Sequence, residues 1–191
     1  MSGSCDVTRD AARIPTAAMR IRPLRRADVP IMRDGFASGV AAQTTRWTFP
    51  RSLPSMLGWF DDIERAKGHD VFAILVEGRV VGITSLRPPR YSGRELTIAI
   101  FDPGMRGRGV GTFAVTTLCE YGFSVLRLAR IELGVYPSHH AAIACYAKCG
   151  FKYEALLRRF LYQDGAWRDG MWMSLLRSEA KGRSAIGRDK K

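Results

Sequence analysis

The chain has 191 residues, and its content of 46% hydrophobic and 10% aromatic residues is sufficient for the core of one domain. Its 30 Lys and Arg residues outnumber its 18 Asp and Glu residues and give a net charge of +12, which favours anionic partners such as phosphates, nucleic acid or an acidic protein. No apolar run approaches the ~20 residues that span a bilayer and the N-terminus lacks the apolar core of a signal peptide, so the sequence predicts a cytoplasmic protein with no membrane association.

The first third of the chain predicts a strand and two helices. Residues 1–18 are small and polar, so we expect a disordered lead, followed by a strand in "MRIRPL". Asp28 is a candidate N-cap with Pro30 in the first turn, which predicts a helix start. Apolar residues then recur at three- and four-residue steps in "SLPSMLGWFDDIERAK" and predict a second helix.

The rest of the chain alternates strands and helices and ends in a polar, basic tail over residues 178–191, which we expect to be disordered. Gly150 is placed to end the last predicted helix. The predicted elements are, in chain order, the hairpin "DVFAILV" and "VVGITSL", the strand "ELTIAIF", the helix "TFAVTTLCEYGFSVL", the strand "RIELGVY", the helix "HAAIACYAKCG", and the hairpin "FKYEALLRRFLYQ" and "WRDGMWMSLL".

This order places antiparallel hairpins on either side of one βαβ-like crossover. It predicts a single α+β domain of the α/β/α sandwich type over residues 19–177, with a central, mixed, mostly antiparallel sheet of six to seven strands and about four helices.

The cysteines do not indicate a metal site or a disulfide framework. Four cysteines lack CxxC spacing, and only three histidines are available to complete a metal site. Cys145 and Cys149 share a helical face at i and i+4, but we expect both thiols to be buried and inert.

A glycine-rich loop, "DPGMRGRGVGT" from Asp102 to Thr112, lies between a predicted strand and a predicted helix. Such a loop points backbone N–H groups outward at a helix N-terminus, which is a natural site for a phosphate. The loop matches neither GxxxxGK(S/T) nor the GxGxxG fingerprint, which argues against a nucleotide triphosphatase and a Rossmann dehydrogenase. A plain tight turn is the alternative that the loop alone leaves open.

Arg106, Gly109 and Gly111 in "RGRGVG" match the R/Q-x-x-G-x-G/A motif of the GNAT superfamily of N-acetyltransferases, and the segments "AAIACYAKCGF" and "LYQDGAWRDGMWMSLL" follow in the family's order and spacing. Over residues 19–177 the chain resembles the subgroup of ribosomal-protein N-terminal and small-amine or antibiotic acetyltransferases. The resemblance implies a GNAT-like domain and acetyl-CoA as the acyl donor, without a metal.

The resemblance also assigns site residues. The loop amides would hold the donor's pyrophosphate, and the fourth strand would pair with its amide-bearing arm and polarise the acetyl carbonyl. His139 stands where many relatives have an asparagine that touches the donor. The implied donor-binding residues are Ala99, Ile100, Phe101, Arg106, Gly107, Arg108, Gly109, Val110, Gly111, Thr112 and His139.

Two residues are candidates for proton transfer. Tyr146 matches the family tyrosine that protonates the leaving thiolate, and its alternative role is packing on the sheet. Glu95 is the candidate general base, although its alignment to the family carboxylate is displaced by about one residue, which on a strand reverses the face. Bulk water could replace a dedicated base.

The acceptor is predicted to be a small amine, an antibiotic or a protein N-terminus, and the protein a monomer or homodimer. The candidate acceptor contacts are Trp47, Tyr162, Asp164 and Trp167. Two alternatives stay open: a transferase that uses an aminoacyl-tRNA or carrier-protein donor, for which the +12 charge makes tRNA worth testing, and a non-catalytic acyl-CoA sensor or nucleic-acid-binding module.

Overall fold

Seven strands form one sheet in the computed structural model, which describes residues 12–37, 52–66, 68–88, 93–163 and 165–180. The order across the sheet is β1-β2-β3-β4-β5-β7-β6, and every neighbouring pair is antiparallel except β4 and β5. The strands are β1 Met19–Pro23, β2 Asp70–Val76, β3 Arg79–Arg87, β4 Arg94–Ile100, β5 Arg130–Val135, β6 Lys152–Gln163 and β7 Ala166–Leu176. The predicted α+β class and mixed sheet are confirmed.

Five α-helices lie in the described ranges, and none of them is long and apolar enough to cross a membrane. Ser52 caps the second helix by accepting a hydrogen bond from the Ser55 N–H, and Gly150, at φ 98°, follows the end of the fourth. The helices are α1 Val29–Ala37, α2 Leu53–Arg65, α3 Val110–Ser124, α4 His140–Lys148 and α5 Arg177–Ala180.

The sheet separates two apolar layers because successive side chains on a strand point to opposite faces. Helices α1 and α2 bury Met32 and Phe60 on one face, against Ala99 of β4. Helices α3 and α4 cover the other face, where Leu118 packs near Leu96 of the same strand. Strand β4 therefore contributes to both layers.

Strands β4 and β5 pair only at their beginnings. The parallel register joins Arg94 to Ile131 and Glu95 to Glu132 and extends no further. The remainder of β4, up to Ile100, is paired with β3 on one side only. A gap therefore opens beside the second half of β4, next to the glycine loop that follows it.

The fold begins earlier than the sequence predicts. Ile14 is buried, and its N–H donates to the Arg108 carbonyl across 3.0 Å. The Arg108 side chain in turn donates to the Ala12 carbonyl at 3.0 Å. Residues 12–18, which the sequence assigns to a disordered lead, thus pack against the glycine loop. At the other end, α5 extends three residues past the predicted domain boundary, and residues 1–11 and 181–191 lie outside the described ranges.

Candidate active site

A cavity of about 830 Å³ occupies the gap beside β4. Its walls come from four segments that are distant in the sequence: residues 12 and 13, the end of β4, the glycine loop with the start of α3, and α4. The lining residues used below are Arg13, Ile98, Ala99, Ile100, Arg106, Gly107, Gly109, Gly111, Thr112, His139, Cys145, Tyr146 and Lys148. Most of the predicted donor-binding residues meet here.

The glycine loop ends at the N-terminus of α3. Gly109 is the N-cap at φ 89°, a conformation that disfavours any residue with a Cβ. The helical hydrogen bonds begin with Phe113, whose N–H donates to the Gly109 carbonyl at 3.0 Å. The N–H groups of Val110, Gly111 and Thr112 precede this bond, so no helical carbonyl lies one turn before them. Gly111 and Thr112 line the cavity, and N–H groups at a helix N-terminus favour an anion.

Gly111, in the first turn of α3, lies beside α4 and the end of β4. A Cβ at this position would lie 3.5 Å from the Cys145 Sγ and 3.6 Å from the Ile100 Cδ1. A larger side chain would extend into the cavity, so the absence of one keeps the helix N-terminus accessible. Val110, in contrast, is fully buried beneath the loop and does not line the cavity.

Two arginines border the glycine loop inside the cavity. The Arg106 Nη2 donates to the Ile100 carbonyl at 3.1 Å, which holds this guanidinium at the end of β4. The other is Arg13, whose Nε lies 3.3 Å from the position that a Cβ on Gly109 would take. Arg108, predicted for this role, instead binds the Ala12 carbonyl and is outside the cavity lining. No feature of the sequence pointed to Arg13, because its placement depends on contacts with residues nearly a hundred positions away.

The backbone N–H and C=O groups of β4 point alternately toward β3 and toward the gap. The Phe101 N–H donates to the Val81 carbonyl at 3.1 Å, and the Thr97 carbonyl accepts from the Thr84 hydroxyl of β3. Because backbone groups alternate along a strand, those of Ile98 and Ile100 face the gap.

Two of the three predicted strand residues, Ala99 and Ile100, line the cavity, and Phe101 does not. The Phe101 ring is buried on the opposite face, 5.9 Å from the Phe36 ring between centroids. Ile98 takes its place in the cavity wall. The alternation of the strand turns the Phe101 ring toward α1, and its N–H is bonded to β3, so donor binding by this residue stays a prediction without support from the cavity lining.

Tyr146 lies on α4 with its side chain buried at the cavity wall. Burial, together with the nearby thiols of Cys145 and Cys149, raises the pKa of this phenol above its ordinary value of 10. The proton is therefore retained throughout the physiological pH range, and the hydroxyl is able to act as a hydrogen-bond donor. Its ring packs 6.1 Å from the Phe151 ring, which fixes its orientation.

His139 precedes α4 and lines the same cavity. Burial, and then the positive charge of Arg106, lower its pKa below the ordinary value of 6.5. The imidazole is consequently neutral at pH 7 and presents one donor and one acceptor nitrogen. Its neighbour His140 is exposed.

The other predicted residues lie elsewhere. Glu95 is at the start of β4, beside Glu132, and three residues along the strand place it roughly 10 Å from Ile98. Tyr162 and Trp167 face each other across the β6–β7 hairpin with ring centroids 5.4 Å apart and more than half of each side chain exposed, and neither lines the cavity. Trp47 and Asp164 lie outside the described residues.

The cysteines of the described residues differ in their surroundings. Cys119 and Cys149 are buried, as predicted for Cys149, and burial raises the pKa of Cys119 to about 12. Cys145 is only half-buried and lines the cavity, 3.5 Å from the Thr112 hydroxyl, so the predicted burial of this thiol is wrong. Within the ranges that the structure describes, no group of three potential ligands is placed to hold a metal ion.

Comparison with known proteins extends these observations. The model of the acetyltransferase (GNAT) domain family matches residues 19–152. Spermidine N(1)-acetyltransferase of Escherichia coli K12 is 26% identical over 174 residues, which cover 87% of this chain and 90% of that protein. The L-amino acid N-acetyltransferase AaaT of the same organism is 27% identical over 63% of this chain and 76% of its own length.

Among solved structures, spermidine N-acetyltransferase from Vibrio cholerae in complex with CoA and spermine superposes with a TM-score of 0.78 at 20% identity. The superposition covers 86% of this chain and 98% of that chain, and it shows a shared fold.

Proposed function

Because the chain belongs to the GNAT acetyltransferase family and is therefore an N-acetyltransferase, we propose that acetyl-CoA, bound in the cavity beside β4, is the donor from which it acetylates a primary amine of a small molecule. The observation that carries this proposal is the divergence of β4 from β5 beside the N-terminus of α3. One cavity thereby offers strand backbone to an amide-bearing arm and helix amides to phosphates.

At the phosphate end, the N–H groups of Gly111 and Thr112, which line the cavity, are our candidates for binding the pyrophosphate. The partial positive charge of the α3 N-terminus supports an anion there. Arg106 and Arg13 border the same loop and add two full positive charges. We assign Arg13, contributed by the segment before β1, to this binding site together with the predicted loop residues.

At the thioester end, the backbone N–H groups of Ile98 and Ile100 face the gap and are suited to polarise an acetyl carbonyl. Acetyl-CoA supplies the activated acyl group, and Tyr146 lies close enough to line the same space. Its raised pKa makes the phenol a hydrogen-bond donor to the departing sulfur rather than a strong acid. Tyr146 is thereby suited to stabilise the negative charge that develops on the departing sulfur.

The neutral His139 is our candidate for a hydrogen bond to the donor, in place of the asparagine of many relatives. Glu95 is too distant from Ile98 for direct contact with an amine at the reacting centre. We therefore assign it proton uptake through water.

The acceptor is a small amine, and relatives of this chain are named for spermidine and for L-amino acids. The family resemblance places acceptor contacts in the segment between α1 and α2 and in the last hairpin, and the segments "ASGVAAQTTRWTFPRS" and "LYQDGAWRDG" together carry three arginines against two aspartates. A polycation would need carboxylate partners. We therefore propose an acceptor with one amine and little further positive charge, such as an amino acid, in preference to a polyamine.

Calorimetric titration with acetyl-CoA tests the donor site. We expect a Gly111→Glu variant to bind at least about tenfold more weakly, because the added carboxylate occupies and repels the anion site. Arg13→Ala should weaken binding several-fold. The matched control is Gly58→Glu, since Gly58 is exposed on α2 with no atom near its absent Cβ.

Equal affinities of the Gly111→Glu, Gly58→Glu and parent proteins would refute the phosphate site. Turnover is then measured with acetyl-CoA against a panel of amino acids, monoamines and spermidine. A higher kcat/KM for spermidine than for every monoamine would refute the proposed acceptor class.

A further inference from the structure

Cys145, on α4, lines the donor cavity and lies beside the N-terminus of the neighbouring helix α3. Its Sγ lies 3.5 Å from the Thr112 hydroxyl and the same distance from where a Cβ on Gly111 would be. The sulfur therefore lies against the first turn of α3. The thiol thus borders the same amides that are proposed to bind phosphate.

The surroundings of Cys145 favour its thiolate. The side chain of Cys149 hydrogen-bonds it, the Thr112 hydroxyl does so from α3, and the Lys148 ammonium adds a positive charge; together they lower the pKa of Cys145. The N-terminus of the 15-residue helix α3 acts in the same direction. Arg106, across the cavity, is the further charged group on the loop that faces this space.

The other thiols of the described residues do not combine access to the cavity with a lowered pKa. Cys119 is buried in the apolar layer beneath α3, where its pKa is raised to about 12. Cys149 is buried one turn after Cys145, and its pKa is raised by its thiol neighbour and by burial. A reagent that enters the cavity therefore meets one reactive sulfur.

We propose that Cys145 is a redox-modification site, at which exchange with a low-molecular-weight disulfide closes the donor cavity. The Cys145 thiolate attacks one sulfur of the disulfide, a new S–S bond forms to Cys145, the original S–S bond breaks, and the displaced thiolate takes up a proton from water. Cys145 is oxidised and the small disulfide is reduced. The attached group then occupies the space in front of the Gly111 and Thr112 amides.

The proposed closure of the cavity, called the blockade below, rests on the proposed donor site. The reactivity of the Cys145 thiol does not depend on that site. The experiment uses the full chain carrying Cys5→Ser, because Cys5 lies outside the described residues. This protein is incubated with glutathione disulfide, and the mass gain is followed by intact-protein mass spectrometry. Acetyl-CoA binding is then measured by calorimetry before and after modification, and again after reduction with dithiothreitol.

We expect one glutathionyl group per chain, lost in Cys145→Ser and retained in the matched control Cys119→Ala. Modification should weaken acetyl-CoA binding at least about tenfold, and reduction should restore it. Saturating acetyl-CoA added beforehand should slow the mass gain.

Equal modification of the Cys145→Ser variant would overturn the assignment of the reactive thiol, even with acetyl-CoA binding intact. Unchanged acetyl-CoA affinity after complete modification would overturn the blockade. If the unmodified protein itself failed to bind acetyl-CoA, the proposed donor site would fail and the blockade with it, while the mass gain would still report on Cys145.

Discussion

At the scale of single residues, two neighbours on α4 respond to their surroundings in opposite directions. Tyr146 is buried, and its pKa is raised, so the phenol keeps its proton. Cys145, one position earlier, is exposed to the cavity and hydrogen-bonded, and its pKa is lowered. A rotation of about 100° along a helix separates them. This rotation places one side chain in the packed layer and the other beside the loop.

Tyr146→Phe should lower kcat by about 10²-fold and leave the Kd for acetyl-CoA within about twofold. The substitution removes the hydroxyl donor, while the ring that packs near Phe151 remains. Steady-state kinetics and calorimetry provide the two measurements. Tyr153→Phe is the control, since that tyrosine is exposed on β6. An unchanged kcat would assign Tyr146 to packing alone.

At the scale of elements, the junction between β1 and α1 depends on a buried ion pair. Asp28, predicted as a helix cap, is almost fully buried, and its carboxylate accepts hydrogen bonds from Arg22 at 2.6 and 2.8 Å and from the Arg25 N–H at 2.8 Å. Burial by itself would raise the pKa of Asp28, but the bonds from Arg22 and Arg25 outweigh it and hold the pKa below 3.8. The carboxylate thus ties the first strand to the first helix.

Asp28→Asn should reduce the free energy of unfolding by about 1–3 kcal/mol at neutral pH. Since the folded-state pKa is lowered, this stabilisation is present above the unfolded-state pKa of about 3.9 and is lost as the pH falls through the folded-state value. Urea denaturation of both proteins at several pH values tests this. The difference in the free energy of unfolding between the parent protein and the variant should become smaller below about pH 4. A difference in unfolding free energy that is constant with pH would contradict the ion-pair explanation. The control is Asp34→Asn, which removes an exposed ion pair and should change the free energy of unfolding little.

At the scale of the whole molecule, the net charge of +12 attracts polyanions without identifying one. Nucleic-acid binding through 6 to 10 phosphate contacts loses about 10³–10⁵-fold in affinity between about 50 and 200 mM salt. A ligand with a few phosphates carries no comparable counterion atmosphere. Salt therefore separates the proposed donor from the alternative that uses tRNA.

Acetyl-CoA binding should weaken by less than about tenfold over that range of salt, while any retention of bulk tRNA should disappear. Calorimetry at low and moderate salt measures the affinity for acetyl-CoA. A filter-binding assay with uncharged and aminoacylated tRNA measures the retention of tRNA. Salt-resistant binding of aminoacyl-tRNA, with no binding of acetyl-CoA, would move the donor to RNA.

The sequence by itself determined the local structure and the position of the glycine loop. Apolar residues at helical or alternating spacing encode which backbone conformation buries them, so the seven strands and the first four helices were predictable. The glycine loop was predictable for the same reason, because its conformation depends on its own residues. The match of Arg106, Gly109 and Gly111 to a family motif then identified the transferase.

Only the tertiary structure decided which side chains share the cavity. The docking of Arg13 on Gly109, the replacement of Phe101 by Ile98, and the exposure of Cys145 each depend on contacts between segments far apart in the chain. Local periodicity fixes the angle of a side chain about its own element but not the neighbour that the element meets. That neighbour is selected by the packing of the whole sheet and its two helical layers.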